Sequence, residues 1–161
     1  MKRFITVAVA VACAAWAVAQ GAQADTPMSC KTVNKDQIVA LFDRWNNSLA
    51  THDAAKVTAN YAPDAVLLAT VSNQPRTGPA AIKDYFVHFL ERNPRGTIDS
   101  RTIHIGCNTA YDVGTYTFAL SGNTPGTTET VKARYSYIYE LRNGKWLIVH
   151  HHSSAMPEPV K

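Results

Sequence analysis

Three of the six histidines, His150, His151 and His152, stand together in the stretch Lys145-Trp146-Leu147-Ile148-Val149-His150-His151-His152-Ser153-Ser154. Side chains alternate between faces along a strand, so Trp146, Ile148, His150 and His152 are expected on one face and Leu147, Val149, His151 and Ser153 on the other. Two imidazoles then continue a row that begins as apolar core, and if that row lines a cavity, His150 and His152 stand where a ligand or chemistry would sit. A neutral imidazole with its ordinary pKa of about 6.5 is a usable general base. Two histidines at this spacing also suit a metal, which needs a third ligand. His104, His88 or a carboxylate would have to supply it from elsewhere, and the local spacing offers none, so no metal is expected. The plainer reading is a hydrogen-bonded pair in a pocket wall. His151 and His52 receive no role.

Further candidates lie in Val131-Lys132-Ala133-Arg134-Tyr135-Ser136-Tyr137-Ile138-Tyr139. Three tyrosines share one face there, and Arg134 shares the other with Ser136 and Ile138. An arginine in line with an isoleucine is costly to bury unless it meets a carboxylate or a ligand anion. Arg134 is therefore read equally as an anchor for an anionic ligand or as half of an ion pair with Asp64 or Asp112. The tyrosine row is expected to be an oligomer surface rather than a platform for nucleic-acid bases. Tyr137 is a second candidate for holding an anion or polarising a carbonyl. Trp45 and Tyr61 join an apolar body to a polar tip, which suits a pocket wall, with core packing the first expectation for both. No phosphate loop, nucleophile elbow, Cys-His pair or dinucleotide fingerprint is present, so no cofactor is expected. Asp36, Asp43 and Asp53 read as helix caps and solvated faces, and no acid stands where it would serve as a catalytic base.

These residues must be positioned by helices that precede a long run of strands. Asn34-Lys35-Asp36-Gln37 looks like a capped start, followed by Ile38, Leu41, Phe42, Trp45 and Leu49 at helical spacing, which predicts a first helix to about Ala50. Asp53 can cap a shorter second helix in which Val57 and Tyr61 share a face. Ala65 to Val71 reads as a strand, 72–78 as a loop, and Pro79 as the start of a third helix that buries Ile82, Tyr85, Phe86, Phe89 and Leu90. Strands are then expected near Thr97 to Gly106, Tyr111 to Ser121, Thr128 to Leu141 and Lys145 to Ser154, with Asn143-Gly144 as a tight hairpin turn. The class is α+β, with helices covering one face of a curved antiparallel sheet.

The N-terminus bears on compartment. Met1-Lys2-Arg3, the apolar run from Phe4 to Val18 and the small-residue pattern Ala22-x-Ala24 read as a secretory signal peptide. That run is short beside the roughly 20 residues of a membrane helix, so no membrane span is expected. Cys13 raises lipidation as a second possibility, but Ala10 stands where a lipobox usually has leucine, and a cysteine discarded with the leader is favoured. Residues 25–161 then form a single domain that is periplasmic or secreted. The net charge of +4 falls by two with Lys2 and Arg3, too little to argue for nucleic acid. Cys30 and Cys107 are expected to form an intrachain disulfide, in preference to two free thiols or a bridge between chains.

The ending from Asn143 to Pro157, with its pattern GKWxIVHxH over 144–152, resembles the close of the association domain of calcium/calmodulin-dependent protein kinase II. The order of elements resembles the wider superfamily of nuclear transport factor 2, ketosteroid isomerase and the SnoaL-like cyclases. The resemblance implies a cone: a bent sheet wrapped round the long first helix, a pocket at the open end, and self-association through the outer face of the sheet. It reaches only the assembly module, so neither a kinase domain nor calmodulin is expected. The association domain of the kinase has pocket arginines, one following the second histidine of the motif, where this chain has Ser153; another falls on Tyr137. Two functions follow as expectations: an exported, self-associating domain holding a polar or anionic small molecule, or an isomerase, cyclase or lyase with His150 or His152 as base.

Overall fold

The computed structural model describes residues 29–70 and 72–158. The expected leader, Cys13, the cleavage point at Ala24 and Val71 lie outside the described residues. Helix α1 spans Lys35–Leu49 and begins with a capping box in which the Asn34 side chain accepts from the Gln37 N–H and Gln37 answers. Its apolar stripe, Ile38, Leu41, Phe42, Trp45 and Leu49, is buried against the sheet. Helix α2 is Ala54–Thr58, capped by Asp53. It ends earlier than the sequence pattern suggests, because the buried Asn60 amide donates to the carbonyls of Lys56 and Val57, while the Asn60 carbonyl accepts from the Ile148 N–H. Tyr61 therefore opens strand β1, Tyr61–Leu68, rather than closing a helix.

After β1 come β2 (Arg76–Thr77), which the sequence reading placed within a loop, and α3 (Gly78–Leu90). Strands β3 (Arg95–Ile105), β4 (Thr109–Ser121), β5 (Thr128–Arg142) and β6 (Lys145–Ala155) form the meander. The six strands lie in the order β2-β1-β6-β5-β4-β3, with β1 and β6 parallel and every other neighbour pair antiparallel. The β5–β6 turn places Asn143 and Gly144 at positive φ, 51° and 78°, as a two-residue hairpin with the twist of its strands demands. A disulfide joins Cys30 to Cys107, 77 residues apart, and ties the N-terminal arm to the β3–β4 turn. Asn108 reinforces the tie, accepting from the Lys31 N–H and donating to the Ser29 carbonyl, both at 2.9 Å. No helix of the described residues is long and apolar enough to cross a membrane.

Candidate functional site

The histidine run does not follow simple alternation. Tyr139 pairs with Ile148, but the next residue back along β5, Ile138, pairs with His150, so Val149 is an extra residue in β6. The same step breaks the β1–β6 register between Tyr61 and Val66. One inserted residue flips every side chain beyond it to the opposite face. Ile148 points into the core before the bulge, and His151 and Ser153 point inward after it, at 4% and 6% exposure. His150 and His152 instead face outward, which corrects the expectation that they continue the row of Trp146 and Ile148.

Between α3 and the concave face of the sheet lies a cavity of about 60 Å³. Its walls are mostly carbon and include six aromatic side chains: Trp45, Tyr85, Phe86, Phe89, Tyr116 and Phe118. No Asp, Glu, Lys or Arg among the described residues lines it, so the pocket expected to be polar and anion-holding is aromatic and uncharged. A hydroxyl cluster on its wall gathers from β6, the end of β1 and β4. Tyr116 donates to the Ser153 hydroxyl at 2.6 Å, and Thr70 is hydrogen-bonded to the same oxygen. Burial pushes the Tyr116 phenol well above its ordinary pKa, so this hydroxyl keeps its proton.

His151 is held in a second chain. The Trp45 indole donates to the Tyr61 hydroxyl at 3.0 Å, and Tyr61 lies 2.9 Å from His151 Nδ1. With the indole donating, the phenol proton is free to go to Nδ1, which assigns the proton of the neutral imidazole to Nε2. Nε2 is buried without a partner. Tyr137 stacks on the imidazole at 4.1 Å between centroids, and Trp45 meets it edge-on. Burial, with smaller contributions from His150 and His152, lowers the His151 pKa to about 3. At neutral pH the ring is uncharged and a poor base, fit to donate a hydrogen bond rather than to take a proton.

The remaining candidates separate by face. Trp45 lines the cavity, and Tyr61 stands behind its wall, bonded to Trp45 and His151. Tyr135, Tyr137 and Tyr139 all point inward with exposures of 3% or less, so the tyrosine row is core and not an oligomer surface. Arg134 is exposed on the outer face, away from the cavity. Neither acid suggested for it is its partner: Asp64 pairs with Arg142, and Asp112 with Arg101. Asp112 is fully buried, accepting from Tyr135 at 2.8 Å and from Arg101 Nε at 3.1 Å. Burial raises its pKa, and Tyr135 and Arg101 oppose the rise. Among the described residues no three His, Cys, Asp or Glu side chains gather to hold a metal ion.

Sequence reasoning missed His151, Thr70 and Tyr116, and treated Ser153 only as a lost arginine. One signal was available. The related association domain carries a pocket arginine at the position of Ser153, and a side chain there cannot share a face of a regular strand with 150 and 152, so only one of the two sets can line the pocket.

Outside the cone, strand register aligns His104, Tyr111, Ile138, His150 and Val66 across β3, β4, β5, β6 and β1. Tyr111 and Ile138 are each 40% exposed. Burial and the neighbouring His152 lower the His150 pKa.

Residues 34–157, from the cap of α1 to two residues past β6, match the calcium/calmodulin dependent protein kinase II association domain. The chain belongs to that family. This association domain is similar to a solved association-domain protein from Xanthomonas campestris, with 44% identity over 83% of this chain and 99% of that one, at a TM-score of 0.74. A nuclear transport factor 2-like protein from Salmonella enterica shares the fold at 19% identity, over 77% and 92% of the two chains, with a TM-score of 0.67. So does a protein of that superfamily from Streptomyces avermitilis, put forward as a dehydratase, at 10% identity over 76% and 96%, with a TM-score of 0.67. No curated protein matches the sequence. The association domain thus has the cone fold of the nuclear transport factor 2-like superfamily, with the Ser153 hydroxyl on the cavity wall.

Proposed function

We propose that this association domain is an exported, self-associating protein that holds a small organic molecule in the cavity between α3 and the sheet. The observation that carries this reading is the cavity itself, aromatic on most sides and furnished with a hydroxyl cluster and a neutral histidine. Pockets of this kind, apolar with a few convergent polar groups, are where small molecules bind. The disulfide supports an oxidising compartment. Family membership supports self-association. The stripe through Tyr111 and Ile138 is the outer surface on which we place it, since exposed apolar side chains in a contiguous row mark contact sites.

Catalysis by a pocket histidine is the weaker reading. His150 and His152 lie outside the cavity, and His151 inside it has too low a pKa to act as a base near neutrality. Dehydratase chemistry of the kind put forward for the Streptomyces neighbour needs a group that takes a proton, and no carboxylate among the described residues lines the cavity.

Native mass spectrometry of the purified protein at micromolar concentration tests both halves. The expected result is a dimer or larger assembly carrying a bound small molecule, reduced to monomer by Ile138→Asp. A strictly monomeric wild type overturns the assembly reading, and a cavity that takes up no small molecule under any condition overturns the binding reading.

A further inference from the structure

The hydroxyl cluster and the absence of charge say what kind of molecule fits. Thr70, Ser153 and Tyr116 bring three hydroxyl protons to one patch of cavity wall, and the cluster holds two mutual hydrogen bonds. Those bonds use two of the three protons, and among the described residues the third has no acceptor outside the cluster. The cluster therefore offers a donor and asks for an oxygen. An ionised group is the wrong source of that oxygen, because a carboxylate inside this cavity would lose its hydration with no cation in the wall to replace it. Arg76 and Arg92 line the neighbouring groove and not this cavity; each is paired with an acid, Asp84 and Glu129, and Arg76 Nε is left without a partner among the described residues. Size caps the class. A dry cavity that holds one benzene measures about 150 Å³, so a cavity of about 60 Å³ takes at most one small ring, with part of it reaching into the open side, and excludes two.

We infer that the occupant is a neutral, single-ring organic compound whose oxygen accepts a hydrogen bond from the Thr70–Ser153–Tyr116 cluster while its ring packs among the aromatic walls. This rests on the reading of the cavity as a binding site and adds the ligand class. Aromatic faces and edges around the cavity favour a flat ring over a flexible chain, which would lose more conformational freedom on entry.

The test is isothermal titration of the whole protein with two matched pairs of probes: phenol against toluene, and benzamide against benzoate. Phenol is expected to bind about tenfold more tightly than toluene, the worth of one hydrogen bond, and benzamide more tightly than benzoate by at least as much. In the triple variant Thr70→Val, Ser153→Ala, Tyr116→Phe, which removes every hydroxyl of the cluster, the phenol preference should fall towards unity while toluene still binds. If that variant fails to fold, the place of the phenol oxygen in a crystal of the wild-type complex, within hydrogen-bond reach of the cluster or away from it, decides instead. Equal binding of phenol and toluene, an unchanged ratio in a folded variant, or a preference for benzoate would overturn the inference. If none of the four probes binds but native mass spectrometry finds another molecule in the protein, the ligand class is wrong and the binding reading survives. If xenon under pressure does not enter the cavity in a crystal either, both fall.

Discussion

Acid should unfold this protein partly through one residue. His151 is buried with its pKa lowered to about 3, whereas in the unfolded chain it returns to about 6.5. The native state therefore binds fewer protons than the unfolded state between those values. Its contribution is present in full above pH 6.5 and is lost progressively as the pH falls towards 3. The whole window is worth about 5 kcal/mol, and linkage places about 2 kcal/mol of it between pH 7.5 and pH 5.0. His151→Phe removes the titration and keeps a ring against Tyr137 and Trp45. The Tyr61 hydroxyl loses its partner in the variant at both pH values, so that cost cancels when the two pH values are compared. Urea denaturation of both proteins at pH 7.5 and 5.0 should show the wild type losing about 2 kcal/mol more than the variant. Equal losses would mean that His151 is not the buried neutral residue described, and with it the inward turn of β6 after the bulge would be in doubt.

Three further outcomes follow from packing. Asp112→Ala strands Arg101 and the Tyr135 hydroxyl around a lost carboxylate and should cost about 3–5 kcal/mol in urea denaturation; a loss below about 1 kcal/mol would show that the pair is not buried as described. Gly114→Ala places a Cβ 2.0 Å from the Ser100 carbonyl, at the bulge where β3 closes on β4, and should lower stability by about 3 kcal/mol or prevent folding, whereas a neutral result would contradict that approach. Reducing the Cys30–Cys107 bridge, or replacing both cysteines by serine, frees a loop of 77 residues and should cost about 2–4 kcal/mol; an unchanged denaturation midpoint in dithiothreitol would argue against the bridge.

Much of the fold was legible because local signals and tertiary demands agree. The capping box at Asn34, the helical stripe through Trp45, Pro79 at the start of α3 and Asn143-Gly144 in the hairpin each have one cheap conformation, and the structure adopts it. Even the inward tyrosines were readable in principle, since Lys132 and Arg134 alternate with them and long cations rarely face a core. The site was less legible because it depends on parity. A single extra residue at Val149 exchanges the inward and outward sets of β6, and nothing in a run of apolar and histidine residues marks where such an insertion falls. Thr70 and Tyr116 were hidden for another reason: they meet Ser153 only through strand order, from β6 to the end of β1 on one side and across β5 to β4 on the other.

The most direct test of the binding site is a crystal of the protein soaked with 4-bromophenol and measured at the bromine absorption edge. The expected result is an anomalous peak inside the cone among Phe86, Phe89 and Phe118, with the phenol oxygen about 3 Å from a hydroxyl of the Thr70–Ser153–Tyr116 cluster. A cavity without bromine, or a peak only on the outer face beside His150 and His152, would contradict it.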